Sequence, residues 1–373
     1  KVLVAMSGGV DSSVAALLMK KAGYEVIGCF MKNWSNTKDP ITGECSWREE
    51  RRIAIKIAAK LGIPFITLDF EKQYHKYVID EMFKLYEKGI TPNPDIDCNN
   101  KVKFPLLIKA AKKLKANYIV TGHYARINKN KKGKFELLRA KDESKDQSYF
   151  LYRLSQNNLK HSLFPIGNYT KKEIRDIAKK NKFPNHNKKS TVGICFIGKV
   201  NLKKFLQKKI KPKSGKILNP EGNLIGRHDG IYYYTIGQRI GPRFGIEVSK
   251  SSDNRKQLKR WYVAKKDSKK NIITAAPEGH KLNFRKDITI KQIHLISDPK
   301  ESFKKYTQKS SLKVNSRIRH VGELLSSKFF YDKKKKQFKI ILNKAITGIS
   351  EGQAIVIYKP KSSKCLGGGV ISF

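Results

Sequence analysis

Seven consecutive residues near the start of the chain, Ser7-Gly8-Gly9-Val10-Asp11-Ser12-Ser13, separate an apolar strand pattern, Val2 to Met6, from a helical one, Ser12 to Ala22. Two glycines let the backbone turn tightly and approach an anion. The three serines offer hydroxyls, and the start of a helix presents unpaired N–H groups at the positive end of its dipole. Such a loop cradles phosphate. No lysine follows the glycines, so it is not the G-x-x-x-x-G-K-[ST] loop of nucleotide triphosphatases that release orthophosphate. A serine-capped helix after a glycine turn is the plainer reading of any two of these residues, and a poor one for all seven.

Two of the five cysteines stand where a thiol could react. Thr91-Pro92-Asn93-Pro94-Asp95-Ile96-Asp97-Cys98-Asn99 puts a carboxylate three positions before a thiol, on a stretch whose two prolines are expected to forbid helix between two helices. Gly193-Ile194-Cys195-Phe196-Ile197-Gly198 puts a second thiol in a glycine-bounded loop beside Lys188 and Lys189. Nearby cations favour the thiolate, the nucleophilic form. Taken singly, each is more simply a packing residue. The odd count, the scatter and the lack of a C-x-x-C pair speak against a disulfide scaffold or a zinc site. Cys29, Cys45 and Cys365 are expected only to pack.

The heptapeptide resembles the loop of the ATP pyrophosphatase group, whose members split ATP into AMP and pyrophosphate and adenylate an oxygen of their substrate. With the two thiol segments and the blocks Phe30 to Trp34, Thr121 to Ala125, Lys145 to Phe150, Tyr234 to Arg239 and Cys365 to Gly369, the whole chain resembles the tRNA-specific 2-thiouridylase family. One departure stands before the second thiol, where Ser190-Thr191-Val192 replace the acidic residue and serine common in the family.

The resemblance implies an N-terminal doubly wound parallel sheet over 1–204 carrying the ATP loop, a central tRNA-binding domain over 205–284 and a C-terminal β-barrel over 285–373. It implies a transferase that adenylates O2 of the wobble uridine and then delivers sulfur from a cysteine persulfide, giving 2-thiouridine, AMP and pyrophosphate. Ala5, Met6, Ser7, Gly8, Gly9, Val10, Asp11, Ser12, Met31 and Gly122 would hold ATP with its Mg²⁺. Asn93, Pro94 and Asp95 would hold the target base, Cys98 would be the nucleophile and Cys195 the persulfide carrier, the two closing a catalytic disulfide. His123, Lys145, Asp146, Gln147, Arg317, Ile318 and Gln353 would contact tRNA. The partners implied are the Lys, Glu and Gln tRNAs and a sulfur-relay protein or cysteine desulfurase, in the cytoplasm, or in the mitochondrial matrix if a targeting segment was trimmed.

The elements that must position these residues follow from the pattern. Strand and helix periods alternate through the first two hundred residues, as in a doubly wound sheet. Helices are expected at Trp47 to Leu61, Gln73 to Lys88 and Val102 to Leu114, and strands at Tyr24 to Met31, Pro64 to Phe70 and Asn117 to Thr121. Met31 and Gly122 then end strands, where such sheets bind ligands. Past residue 205 the chain turns Gly- and Tyr-rich, and its last ninety residues read as short strands of a small barrel, with Lys333 to Lys336 a solvated hairpin turn.

A length of 373 residues calls for two or three domains. The net charge of +48 attracts polyanions, and RNA or DNA is the commonest such partner, although lysine-rich usage alone can be a bias of composition. No apolar run is long enough to cross a bilayer. Two other classes share some of these features: a small-molecule synthetase that adenylates its substrate, which explains neither thiol, and a non-catalytic RNA-binding protein, which explains no ATP loop.

Overall fold

The computed structural model describes residues 1–35, 46–189, 201–241, 260–320 and 322–373. Four parallel strands open the chain: β1 (Val2–Ala5), β2 (Val26–Lys32), β3 (Phe65–Asp69) and β4 (Tyr118–Val120). They join the short β7 (Ser162–Leu163) in the order β3-β2-β1-β4-β7. Val2, Leu3 and Val4 are fully buried, as a central strand covered on both faces requires. Helix α1 (Val10–Lys21) covers one face through Val14 and Leu17, and α2 (Ser46–Leu61) packs beside it through Ala54, Ile57 and Leu61.

The stretch read as non-helical because of its prolines is a helix. Asn93 caps it, Pro94 takes the first helical position, where a missing N–H costs nothing, and residues 94–113 run on through a π-turn, Cys98–Lys103, into Phe104–Lys113. Proline is tolerated in a helix's first turn, and Pro105, further along the same helix, stands just past the π-turn.

A hairpin that local patterning did not reveal, β5 (Ala125–Lys129) and β6 (Phe135–Arg139), leaves the parallel sheet and joins the C-terminal domain instead. The middle of the chain forms a five-stranded sheet of β8 (Gly215–Leu218), β9 (Leu224–His228), β10 (Arg239–Ile240), β11 (Trp261–Asp267) and β12 (Ile272–Pro277), ordered β10-β11-β12-β8-β9.

The C-terminal strands are β13 (Phe284–Leu295), β14 (Leu312–Arg317), β15 (Leu325–Asp332), β16 (Gln337–Thr347), β17 (Ala354–Tyr358) and β18 (Lys364–Ser372). They pair in the order β13-β16-β15-β14-β17-β18, and β18 returns to β13, closing a six-stranded barrel. Closure leaves no free edge. The β15–β16 hairpin turns at residues 333–336, which are exposed lysines.

The domains share their cores. Cys98 and Val102 lie in one apolar cluster with Phe205, Tyr233 and Val263 of the middle domain, while Phe104 and Tyr149 lie in another with Val356 and Tyr358 of the barrel. Among the described residues no helix is long and apolar enough to cross a membrane.

Candidate active site

The loop after β1 is built by its own side chains. Ser12 Oγ donates to the carbonyl of Gly9 at 3.0 Å and accepts from the backbone N–H of Ser7 at 3.1 Å. Ser13 Oγ donates to the same carbonyl at 2.9 Å. Gly8 takes φ +73°, and a Cβ there would lie 2.3 Å from the carbonyl oxygen of Glu50, so glycine is required twice over. The loop is also braced from outside, because Asn185 Nδ2 donates to the Gly8 carbonyl at 2.9 Å and to Ser13 Oγ at 3.1 Å.

Asp11, in the first turn of α1, accepts from Tyr124 Oη at 2.8 Å and from Lys171 Nζ at 2.6 Å. Burial, and then the Asp11 charge, push the Tyr124 phenol far above its ordinary pKa, so it stays a donor. Gly122 brings the end of β4 against α1; a Cβ there would sit 2.7 Å from the Ser12 nitrogen. Met31 is buried in β2. Asn33, two residues on, has both side-chain amide atoms buried without a partner.

Cys98 lies at the same edge of the sheet. Residues 94–113 lead into β4, so this helix runs against the strands and its first turn stands at their carboxyl ends, as does the loop after β1. The thiol is buried, at the first position of the π-turn, a local widening frequent at functional sites. Asn93 Oδ1 accepts from the Ile96 N–H at 3.4 Å. Asp97 is paired with Lys101 at 3.2 Å and Arg153 at 3.3 Å.

The approach to this turn is held by all three domains. Thr91 Oγ1 meets Thr235 Oγ1 of the middle domain at 3.2 Å, and Lys266 donates to the Gly89 carbonyl at 2.7 Å. From the barrel, Gln353 Nε2 donates to the carbonyls of Thr91 at 3.0 Å and Pro92 at 2.9 Å.

Residues expected at the tRNA take varied places. Asp146 and Arg317 are buried against each other at 2.6 Å, and Asp146 also accepts from Ser148 Oγ and the Ala140 N–H. Neither side chain faces solvent, and the exposed member of that segment is Lys145. Gln147 Oε1 accepts from the Tyr124 N–H at 2.9 Å, and the Ile318 carbonyl accepts from Tyr149 Oη at 3.3 Å. His123 is buried between Phe104 and Phe164, with Nδ1 2.7 Å from Thr121 Oγ1; burial, and then Lys103, hold its pKa well below the ordinary value.

Burial pushes the Cys29 and Cys365 thiols far up, so neither forms a thiolate readily. Cys195 and Cys45 lie outside the described residues, as do the Gly193-to-Gly198 loop and Ser190-Thr191-Val192. Lys188 is paired with Glu50 at 2.7 Å. Tyr124, Lys171 and Asn185 escaped sequence reasoning, since each reaches the loop only through tertiary folding.

Three family models match consecutive parts of the chain. They are described as a tRNA methyl transferase HUP domain over residues 1–199, a tRNA methyl transferase PRC-barrel domain over 203–277 and an aminomethyltransferase beta-barrel domain over 285–371. A tRNA-specific 2-thiouridylase of Coxiella burnetii is 40% identical, with 100% of this chain and 98% of the relative covered. That of Lactobacillus helveticus is 39% identical, covering 100% and 95%. That of Streptococcus agalactiae is also 39% identical, again covering 100% and 95%.

Proposed function

The chain belongs to the tRNA-specific 2-thiouridylase family, and from that premise we propose that it is a tRNA-uridine 2-sulfurtransferase that activates O2 of a wobble uridine with ATP. What supports the reading is that the anion-cradling loop after β1 and the helix turn bearing Cys98 both stand at the carboxyl end of the parallel strands.

A uracil carbonyl has no leaving group, so sulfur cannot displace its oxygen directly. O2 attacks the α-phosphorus of ATP, the bond to the bridging oxygen breaks, and pyrophosphate leaves with the electron pair while the base gives its N3 proton to solvent. The oxygen then departs with AMP. Ala5 to Ser12, Met31 and Gly122 hold the nucleotide, whose phosphates arrive neutralised by Mg²⁺. Ser7 and the N–H groups of the first turn of α1 are the donors suited to those phosphates, and Ser12 joins them once it gives up its bond to the Gly9 carbonyl.

Asn93, Pro94 and Asp95 receive the splayed base, since single-stranded loops let bases turn out into a pocket. Cys195 carries the sulfur as a persulfide delivered by a donor protein. Cys98 attacks the inner sulfur, so that hydrosulfide is released towards C2 and the two cysteines end as a disulfide. Lys145 meets the RNA backbone, and His123, Asp146, Gln147, Arg317, Ile318 and Gln353 act by setting the shape of the surface it meets. The Lys, Glu and Gln tRNAs are the substrates and a sulfur-relay protein or cysteine desulfurase the donor.

Methyl transfer, which two of the model descriptions name, has no use for a pyrophosphate-cradling loop. The test is steady pyrophosphate release dependent on added tRNA, with mass spectrometry of the tRNA nucleosides after a sulfur donor is supplied. Release with tRNA and the appearance of 2-thiouridine are expected. Release with a small-molecule acceptor and no tRNA would indicate a synthetase instead.

A further inference from the structure

A cavity of about 210 Å³ opens where the three domains meet, apart from the loop after β1. Lys88 of the first domain, Lys265 and Lys266 of the middle domain, and Arg285, Ser350 and Glu351 of the barrel line it. Four cations thus face one carboxylate among the described lining residues. Glu351 is already engaged, accepting from Ser372 Oγ at 3.5 Å with Lys291 Nζ 4.0 Å away. Lys88, Lys265 and Arg285 have no acidic partner among the described residues.

The donors are held in place without being saturated. The Arg285 guanidinium stacks 3.6 Å from the centroid of the Phe373 ring, a contact that uses its flat face and leaves its N–H edge free. Burial alone lowers its pKa. Lys266 Nζ donates to the carbonyls of Gly89 and Tyr234, which leaves one of its three N–H groups. Burial pulls the Lys266 pKa down to about 8 against the opposing pull of Glu351, so the carboxylate does not balance the buried charge. Ser350 is only 4% exposed, and its hydroxyl has no hydrogen-bond partner among the described residues. Like charges gathered around an enclosed space repel one another, and an anion set between them turns that repulsion into attraction.

We propose that this cavity binds one backbone phosphate of the RNA substrate, with Lys265, Lys266, Arg285 and Ser350 as its donors. The inference rests on the reading of tRNA as the substrate. Phosphate contacts fix the register of a nucleic acid rather than read its sequence. Here the register reaches the base segment, because Lys266 holds the Gly89 carbonyl and the Glu351 carbonyl accepts from the Thr91 N–H at 3.2 Å. A phosphate seated in the cavity sets where the strand meets Asn93, Pro94 and Asp95. A solvated seam between domains would leave RNA affinity untouched by these side chains.

The experiment titrates the parent, Lys265→Gln, Arg285→Gln and Ser350→Ala with tRNA over a salt series, and with anticodon stem-loops in which one phosphate at a time is a neutral methylphosphonate. Lys334→Gln, in the exposed turn of the β15–β16 hairpin, is the control of equal charge. Lys265→Gln and Arg285→Gln should each weaken tRNA about fivefold, and together lower the salt slope by about 1. Ser350→Ala should weaken it about threefold with no change of charge, and the control should bind like the parent. At one linkage the methylphosphonate should weaken the parent as much as Arg285→Gln does, and weaken the Arg285→Gln variant no further. Losses that add at every linkage, or a control as weak as the cavity variants, overturn the proposal. Lys265 is exposed, so Lys265→Gln decides by the same linkage comparison should Arg285→Gln not fold. Inorganic phosphate titrated at constant ionic strength separates the sources. Millimolar binding supports a backbone phosphate; micromolar binding that Arg285→Gln abolishes, beside additive linkage losses, assigns the cavity to free phosphate and overturns the proposal. If the parent neither binds nor thiolates tRNA, the functional reading fails and this inference with it; if it does both and the linkage losses add, only the inference fails.

Discussion

Gln353 of the barrel donates its side-chain amide to the Pro92 carbonyl at 2.9 Å, and to that of Thr91 at 3.0 Å, two residues before the capped turn that carries Cys98. A residue expected to take part in choosing tRNA thus stands behind the segment expected to hold the base. Its amide can fix that segment's height over the sheet edge without touching RNA.

Gln353→Ala should therefore slow thiouridine formation while leaving ATP binding alone. Two carbonyls lose their donor, and an unmade hydrogen bond of this kind costs about 1–3 kcal/mol, partly relieved here by water. A fall of about tenfold in kcat is expected, with unchanged nucleotide affinity. Equal losses in ATP affinity and kcat would show that the brace serves the whole fold rather than the base segment.

Asp146 and Arg317 make a separate case, because both are almost wholly enclosed and Arg317 Nε has no partner. Removing one member leaves the other's charge stranded, at a cost of about 3–5 kcal/mol. Asp146→Ala should lower the urea midpoint sharply, and Asp146→Leu with Arg317→Met should recover most of it. If Asp146→Ala loses tRNA affinity at unchanged stability, the pair reads RNA and does not join domains.

Acid should destabilise the fold well above the carboxylate range. Burial lowers the folded pKa values of His123, His228, His294 and His320. Between each lowered value and the ordinary one near 6.5, the unfolded chain binds the extra proton. Stability from these groups is complete above about pH 6.5 and falls as the pH drops, with His123, whose value is held furthest down, contributing most. Urea midpoints measured from pH 7.5 down to 5 should decline. A midpoint that stays level over that range would contradict the burial of these rings.

The loop after β1 was legible because strand, glycine turn and helix start are consecutive, and no distant contact is needed to recognise them. The helix at Pro94 was misread, since the rule that proline ends a helix is silent on a capped first position, and the Asn93 cap was the signal overlooked. The β5–β6 hairpin could not be assigned from local pattern either. Its register to the barrel, Leu138 opposite Lys364 and Leu137 opposite Cys365, joins segments more than two hundred residues apart. The same holds for Lys171 at Asp11 and Asn185 at Gly8, where each residue looks like an ordinary polar surface residue until the chain is folded.

The five cysteines should separate into two that sulfur transfer needs and three that it does not. Cys29 and Cys365 are fully buried thiols whose pKa burial drives up, so they act as small apolar side chains, and Ala in either place should keep thiolation near the parent rate at some cost in stability. Cys45 should be equally dispensable. Cys98 is also fully enclosed here, at the widened turn of its helix, so its sulfur can react only after that turn or the side chains packed on it shift. Iodoacetamide should therefore label Cys98 slowly in the free protein and faster if tRNA binding opens the turn. Cys98→Ser and Cys195→Ser should each keep tRNA-dependent pyrophosphate release yet make no thiouridine, because a hydroxyl neither carries a persulfide nor forms a disulfide. The deciding measurement is single-turnover thiolation with ATP and a sulfur donor, run beside pyrophosphate release. If either serine variant forms 2-thiouridine at the parent rate, sulfur reaches the base by a route that does not use both thiols.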